Sequence, residues 1–303
     1  MAEEAAGWVR QGESGTGAGF RVMGWITLNT PEPLSRAVIW LLAAGFAAWP
    51  GRPENAASRR YLSRILGRPA RFADLHRHAF LFGLMLRDRA RLLTGGGAGF
   101  TLAATGAQAV HEALAAGRGG VLLGAHFGSF EALRAYDRML PGLTVRYMMY
   151  DGAAAASTRV YGALNPEVAA RVIPLGQGPQ AMLAAAEALE RAEFVAFLGD
   201  RLPGRESRSQ ARIGFLGGHV RVPLSPYLAA MAAGVPLILC AAPRVGRDSY
   251  AIEFHLLHDG RPVPRAERRA EAARLAAAYL GHLEDLCRRH PYNWFNFFDV
   301  WGE

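Results

Sequence analysis

Apolar positions along the chain recur first at helical spacing and later in short unbroken runs. From about residue 20 to residue 117 the pattern is helical throughout, with breaks at Pro31 to Pro33, at Pro50 to Pro53, near Pro69 and at the Gly95-Gly96-Gly97 cluster. Strand signals begin only afterward. Gly120-Val121-Leu122-Leu123-Gly124-Ala125 is short, apolar and bounded by glycine, and reads as a buried strand leading into His126. Apolar runs at Leu143 to Met149, Arg171 to Leu175, Phe194 to Leu198, Pro236 to Ala242 and Tyr250 to Leu256 then alternate with helical stretches, the rhythm of an α/β sheet. A helical pattern with Glu and Arg at three- and four-residue spacing covers about Pro264 to Arg289, and an aromatic tail closes the chain. No internal repeat or long linker is evident. The expectation is one domain over 1–303, with a helical N-terminal layer over 1–117 and an α/β core over 118–303 built on a mixed, mostly parallel sheet flanked by helices. Two domains meeting near the triple glycine are the alternative.

Composition narrows this picture. With 51% apolar residues in 303, the chain can bury a sizeable core, which argues against disorder. The net charge of +8 rests wholly on arginine, since lysine is absent. Arginine suits carboxylates and phosphates, so anionic headgroups, an acidic protein or nucleic acid become candidate partners. Nucleic acid fits least, because the basic stretches carry no recognised binding module. Those stretches, Arg59, Arg60, Arg64, Arg68 and Arg71, then Arg87, Arg89 and Arg91, read either as a solvated face or as a docking face. Cys240 and Cys287 stand far apart without CxxC spacing, indicating neither a zinc site nor a disulfide framework and making a reducing compartment the default. The N-terminus lacks the basic start and apolar run of a secretory signal, and Gly12 to Gly17 lacks the ending of a phosphate loop. The apolar run from Ala37 to Trp49 would extend roughly 20 Å as a helix against roughly 30 Å of bilayer core, too short to span. With Trp40 and Trp49 inside it and Arg36 before it, it reads as an interfacial or re-entrant helix, or as a plain buried one.

The richest stretch chemically is Gly124-Ala125-His126-Phe127-Gly128-Ser129-Phe130-Glu131. His126 and Glu131 would lie about 140° apart on one regular helix and could not pair there. If His126 ends the strand, Gly128 and Ser129 turn the chain and Ser129 caps the next helix, Glu131 falls in its first turn and can reach back to the imidazole. A carboxylate on one ring nitrogen fixes the tautomer and readies the other to take a hydroxyl proton. The plainer alternative is an ordinary serine cap and a first-turn acid favoured by the helix dipole. Ser129 lacks the Gly-x-Ser-x-Gly setting of a nucleophile, so no acyl-enzyme is expected. Asp200 and Arg201 follow a strand at the end where α/β sheets present functional groups, and could bind substrate or form a strand-end ion pair. Asn293 and Trp294, in the aromatic tail, could close over an acyl chain or strap the C-terminus to the core. The remaining histidines lack the HExxH spacing of a zinc hydrolase.

The glycine-bounded strand with His-x4-Glu resembles the His-x4-Asp/Glu motif of glycerolipid and lipid A acyltransferases. Phe197-Leu198-Gly199-Asp200-Arg201, Phe215-Leu216-Gly217-Gly218 and Val222-Pro223 resemble the downstream block of the lipid A biosynthesis acyltransferase family, in order and spacing. The ending Pro291 to Phe298 is similar to that of its stand-alone members, and the likeness runs over roughly 170 residues. It implies a glycerolipid-acyltransferase-like fold and acyl transfer, without metal or bound cofactor, from an acyl carrier protein or CoA thioester to a hydroxyl of a lipid or glycolipid. His126 and Glu131 would be catalytic, and Ser129, Asp200, Arg201, Asn293 and Trp294 would bind substrate. It implies work at an anionic membrane surface, on the cytoplasmic face of the inner membrane, peripheral or shallowly inserted through 37–49. The sequence departs from the family at the front, where members carry a full membrane-spanning helix. A thioesterase using the same pair, or a non-catalytic protein that binds an acyl carrier at the membrane, are the rival readings.

Overall fold

A computed structural model describes residues 30–49, 51–95, 97–149, 165–202 and 209–302; the glycine-bearing stretch at 12–17 lies outside them. Helix α1 (Glu32–Ala48) opens on a first-turn proline and an acid, both suited to a helix start. Its buried residues, Ser35, Ile39, Ala43 and Ala47, recur every four positions and so line one stripe. That stripe packs on α3 (Phe72–Gly95), and the Ile39 side chain sits so close to the Gly83 backbone that a Cβ there would lie 2.5 Å from Ile39 Cγ2. The outer face is apolar as well: Trp40, Leu41, Leu42 and Trp49 are 50 to 64% exposed. The run from Ala37 to Trp49 is therefore half core and half exposed apolar surface. After it the chain bends by 92° into α2 (Pro53–Leu66), and no single helix among the described residues is long and apolar enough to cross a membrane.

Strands do not wait for residue 117. β1 (Thr101–Thr105) pairs in parallel with β9 (Ser249–His258), so the first 117 residues contribute to the sheet as well as to helices. β1 is a sheet edge whose residues alternate between exposed and half-exposed, which is why it lacks the apolar run that marks a buried strand. After α4 (Gln108–Ala115) come β2 (Gly120–Gly124), α5 (Phe130–Asp137), β3 (Val145–Met149), α6 (Pro166–Ala170), β4 (Val172–Pro174), α7 (Pro179–Glu190) and β5 (Phe194–Leu198). A two-stranded hairpin, β6 (Gln210–Phe215) and β7 (Gly218–Pro223), precedes α8 (Ser225–Ala233), β8 (Leu237–Ala241), β9 and α9 (Arg268–Arg289). The periodicity did not mark this hairpin, whose turn uses positive φ at Leu216 and Gly217, the backbone a two-residue type I′ turn requires.

The fold is α/β, with a seven-stranded, mostly parallel mixed sheet flanked by helices and ordered β1-β9-β8-β2-β5-β3-β4. Only the β8–β9 pair is antiparallel. β2 and β8 are buried at every position, as strands covered on both faces must be. Their side chains alternate between two cores. Val121, Leu123, Leu237 and Leu239 join one face's cluster, with Leu275, Tyr279 and Leu283 of α9. Leu122, Ile238 and Cys240 join the other, with Val110 of α4 and Ala132 of α5.

Candidate active site

His126 and Asp200 meet because of strand register. β2 and β5 pair in parallel with Gly124 opposite Leu198, so the residues two places beyond each strand are neighbours at the sheet's carboxyl edge. Gly199 N–H donates to the Gly124 carbonyl at 2.9 Å, carrying the pairing one step past the strands. Asp200 then grips His126 twice: the His126 backbone N–H donates to Oδ2 at 2.9 Å, and Nδ1 lies 2.9 Å from Oδ1. Trp294 Nε1–H donates to the same Oδ2 at 3.0 Å. Burial pushes the Asp200 carboxyl up, but the His126 imidazole, its hydrogen bonds and the charge of Arg201 outweigh burial and hold the group at about 2. Asp200 is thus a carboxylate at neutral pH, and with an ionised acceptor on its other side Nδ1 carries the ring proton. The His126 side chain is 26% exposed and that of Asp200 only 1%, so the imidazole reaches the surface while its anchor does not.

Glu131 stands where the sequence predicts, in the first turn of α5, with Ser129 as the N-cap accepting from Ala132 N–H at 3.2 Å. Its carboxylate, however, meets arginine: Arg89 Nε at 2.8 Å and Arg134 Nη1 at 3.8 Å. The carboxylate on Nδ1 of His126 is therefore Asp200, and orienting the ring, expected of Glu131, falls to a residue 74 positions away. Ser129, fully buried, serves as a cap.

The turn after His126 is held on both sides. Gly128, at φ +69, donates its N–H to the Asn293 carbonyl at 2.9 Å, and Ser129 N–H donates to the Ala242 carbonyl at 2.9 Å. A Cβ on Gly128 would lie 2.0 Å from the Ala242 oxygen, so only glycine fits. These two N–H groups, natural candidates for an oxyanion, are already used. The aromatic tail straps the site: Phe295 N–H donates to the His126 carbonyl at 2.7 Å, and Trp294, 1% exposed, packs edge-on against Tyr61 and Phe215. Asn293 Oδ1 accepts from Arg244 N–H at 2.8 Å, so this residue holds the strap. The Arg201 guanidinium lies 4.5 Å over the Phe298 ring, beside the same edge.

Two features escaped the sequence. Arg87, Arg89 and Arg91 do not form a docking face: Arg87 is 3% exposed against Asp88 and Ser35, Arg89 holds Glu131, and Arg91 pairs with Asp248 at 2.6 Å. Buried His78 reaches the Trp294 carbonyl at 2.9 Å and Ser58 Oγ at 3.2 Å, and burial holds its pKa down at about 4. Its position in a helical stretch gave no hint of that second tie on the strap. No protein-family model and no curated protein matches this chain.

Proposed function

We propose that this chain is an acyltransferase that moves a fatty acyl group from an acyl carrier protein or CoA thioester to a hydroxyl of a lipid or glycolipid acceptor. The observation that carries the reading is the Asp200 carboxylate on Nδ1 of a partly exposed imidazole at the carboxyl edge of a parallel sheet. In the proposed step Nε2 of His126 removes the acceptor's hydroxyl proton as its oxygen attacks the thioester carbonyl carbon. The tetrahedral oxyanion collapses, the carbon–sulfur bond breaks, and the imidazolium returns its proton to the departing thiolate. The products are an ester and a free carrier thiol. Asp200 stabilises the imidazolium and fixes the ring; Glu131 contributes indirectly, by holding Arg89 and Arg134 under the catalytic turn. Arg201, at the same edge, is the cation we assign to the oxyanion. Base catalysis of this kind is worth roughly 10²- to 10⁴-fold.

The reading extends to fold type and place. The resemblance over the His-x4-Glu, Asp200-Arg201 and Asn293-Trp294 segments supports a glycerolipid-acyltransferase-like fold of the lipid A biosynthesis type, with α1 to α3 as its N-terminal layer. The exposed apolar face of α1 supports peripheral or shallow insertion, through 37–49, at the cytoplasmic face of an anionic inner membrane. Incubation with labelled acyl carrier protein and a crude lipid extract, followed by mass identification of the labelled lipid, tests donor and acceptor together. Transfer should fall at least about a hundredfold in His126→Ala and His126→Asn. A folded His126→Ala protein with full transfer activity would overturn the mechanism.

A further inference from the structure

The bend between α1 and α2 borders a cavity of about 360 Å³ that is open to solvent, lined by buried Ala47 and Asn55, half-buried Arg52, and exposed Trp49, Ala56 and Arg59 among others. That volume falls within the range of small-ligand sites. Its chemistry is divided. One wall is apolar and continues into the exposed face of α1 through Trp49, 61% exposed. The other is cationic. The Arg52 guanidinium lies 4.8 Å over the Trp49 ring and 5.2 Å over the Phe46 ring, contacts that fix it without using its N–H groups. Arg59 spends one N–H on the Ala70 carbonyl at 3.0 Å. Neither has a carboxylate partner among the described residues, whereas many other arginines of the chain do.

The helix ends add to this charge. The last carbonyls of α1 would repel an anion at the bend, but Asn55 Nδ2 donates to one of them, Phe46, at 2.7 Å and to the carbonyl of the C-cap residue Trp49 at 3.1 Å. The 14-residue helix α2 starts at the same place, its positive end on the cavity and its N-cap, Arg52, making no side-chain capping bond. Glu54, in that first turn, does not line the cavity.

We propose that this cavity binds the phosphodiester headgroup of an anionic phospholipid, with Arg52 and Arg59 on the phosphate and the acyl chains along Trp49 and the outer face of α1. The inference deepens the membrane part of the proposed function, and supplies a specific lipid contact where that reading has only an apolar face and a net charge.

The test titrates the full chain with monomeric dihexanoyl-phosphatidylglycerol, with inorganic phosphate, and with phosphatidylcholine vesicles with and without phosphatidylglycerol. Arg52→Gln/Arg59→Gln should weaken binding to the anionic vesicles about ten- to thirtyfold. Arg191→Gln/Arg274→Gln, which removes two exposed arginines paired elsewhere, should cost about threefold or less. Ala56→Trp fills the cavity without changing charge and should weaken the monomeric lipid at least about tenfold. The proposal is overturned if Ala56→Trp binds like wild type, if the Arg52/Arg59 variant loses no more than the control, or if inorganic phosphate binds as tightly as the lipid, which would mark a free-anion site. Monomeric lipid binding is read without catalysis, so failure of acyl transfer leaves this result standing, and failure of lipid binding leaves the His126 chemistry standing.

Discussion

Replacing Asp200 by asparagine exchanges one carboxylate oxygen for an NH2 with almost no change of shape, and it separates the roles of the site's two acids. Asp200 accepts three N–H bonds, from His126 N at 2.9 Å, His126 Nδ1 at 2.9 Å and Trp294 Nε1 at 3.0 Å. Asparagine has a single acceptor oxygen. Placed where Oδ2 stands, that oxygen keeps the backbone and indole bonds, and the new NH2 faces Nδ1. Two donors cannot share that contact, so the imidazole gives up its Nδ1 proton and carries it on Nε2 instead. The nitrogen that should accept the acceptor's hydroxyl proton is then already protonated. The expected loss is the general-base contribution, roughly 10²- to 10⁴-fold in kcat, or about 3 to 5 kcal/mol of barrier. KM should move far less, because the substrate contacts are untouched. Stability should change by no more than about 2 kcal/mol, since the lost charge-assisted bond is offset by burying one charge fewer. Steady-state transfer from acyl carrier protein to lipid, with thermal unfolding of the same samples, reads both quantities. Glu131→Gln is the companion: it weakens an ion pair to Arg89 and should lower activity less than Asp200→Asn does. If Asp200→Asn keeps kcat within about threefold while Glu131→Gln loses a hundredfold, Glu131 is the orienting acid and the tautomer argument fails.

Two further outcomes follow from the packing. Burial holds His78 down at about 4, below its unfolded value of 6.5, so the stability tied to its neutral form is present above pH 6.5 and is lost as the pH falls toward 4. That amounts to about 3 kcal/mol, and His290 and His282, also lowered first by burial, act in the same direction. Denaturant unfolding of His78→Gln should show a visibly shallower loss over that window than wild type, and an identical slope would refute the assignment. Gly128→Ala forces a side chain against the Ala242 carbonyl in a left-handed backbone, and should cost about 2 to 5 kcal/mol. A melting temperature within about 2 °C of wild type would show that the turn after His126 is not held as described.

Local pattern was enough for much of this molecule. The glycine-bounded apolar run at β2 read as a buried strand and the run at β8 as part of an α/β rhythm, and once the first of these ends at His126, helix-end chemistry makes Ser129 a cap with Glu131 in the first turn of α5. The same local logic placed Asp200 at a strand end, because the apolar run from Phe194 to Leu198 stops just before it. What it could not decide was partnership. Glu131 is five residues from His126 and Asp200 is 74, yet the ring's hydrogen bond goes to the distant acid because β2 and β5 lie side by side with Gly124 opposite Leu198. Strand order and register are set by how two cores close over the whole sheet, which no window of neighbouring residues contains. Arginine followed the same rule: a run of them in α3 reads as a basic face, and only the packing of the helix beside α5 and the turn before β9 sent Arg89 to Glu131 and Arg91 to Asp248. Sequence supplied the groups and the elements that carry them, while long-range packing chose which groups touch.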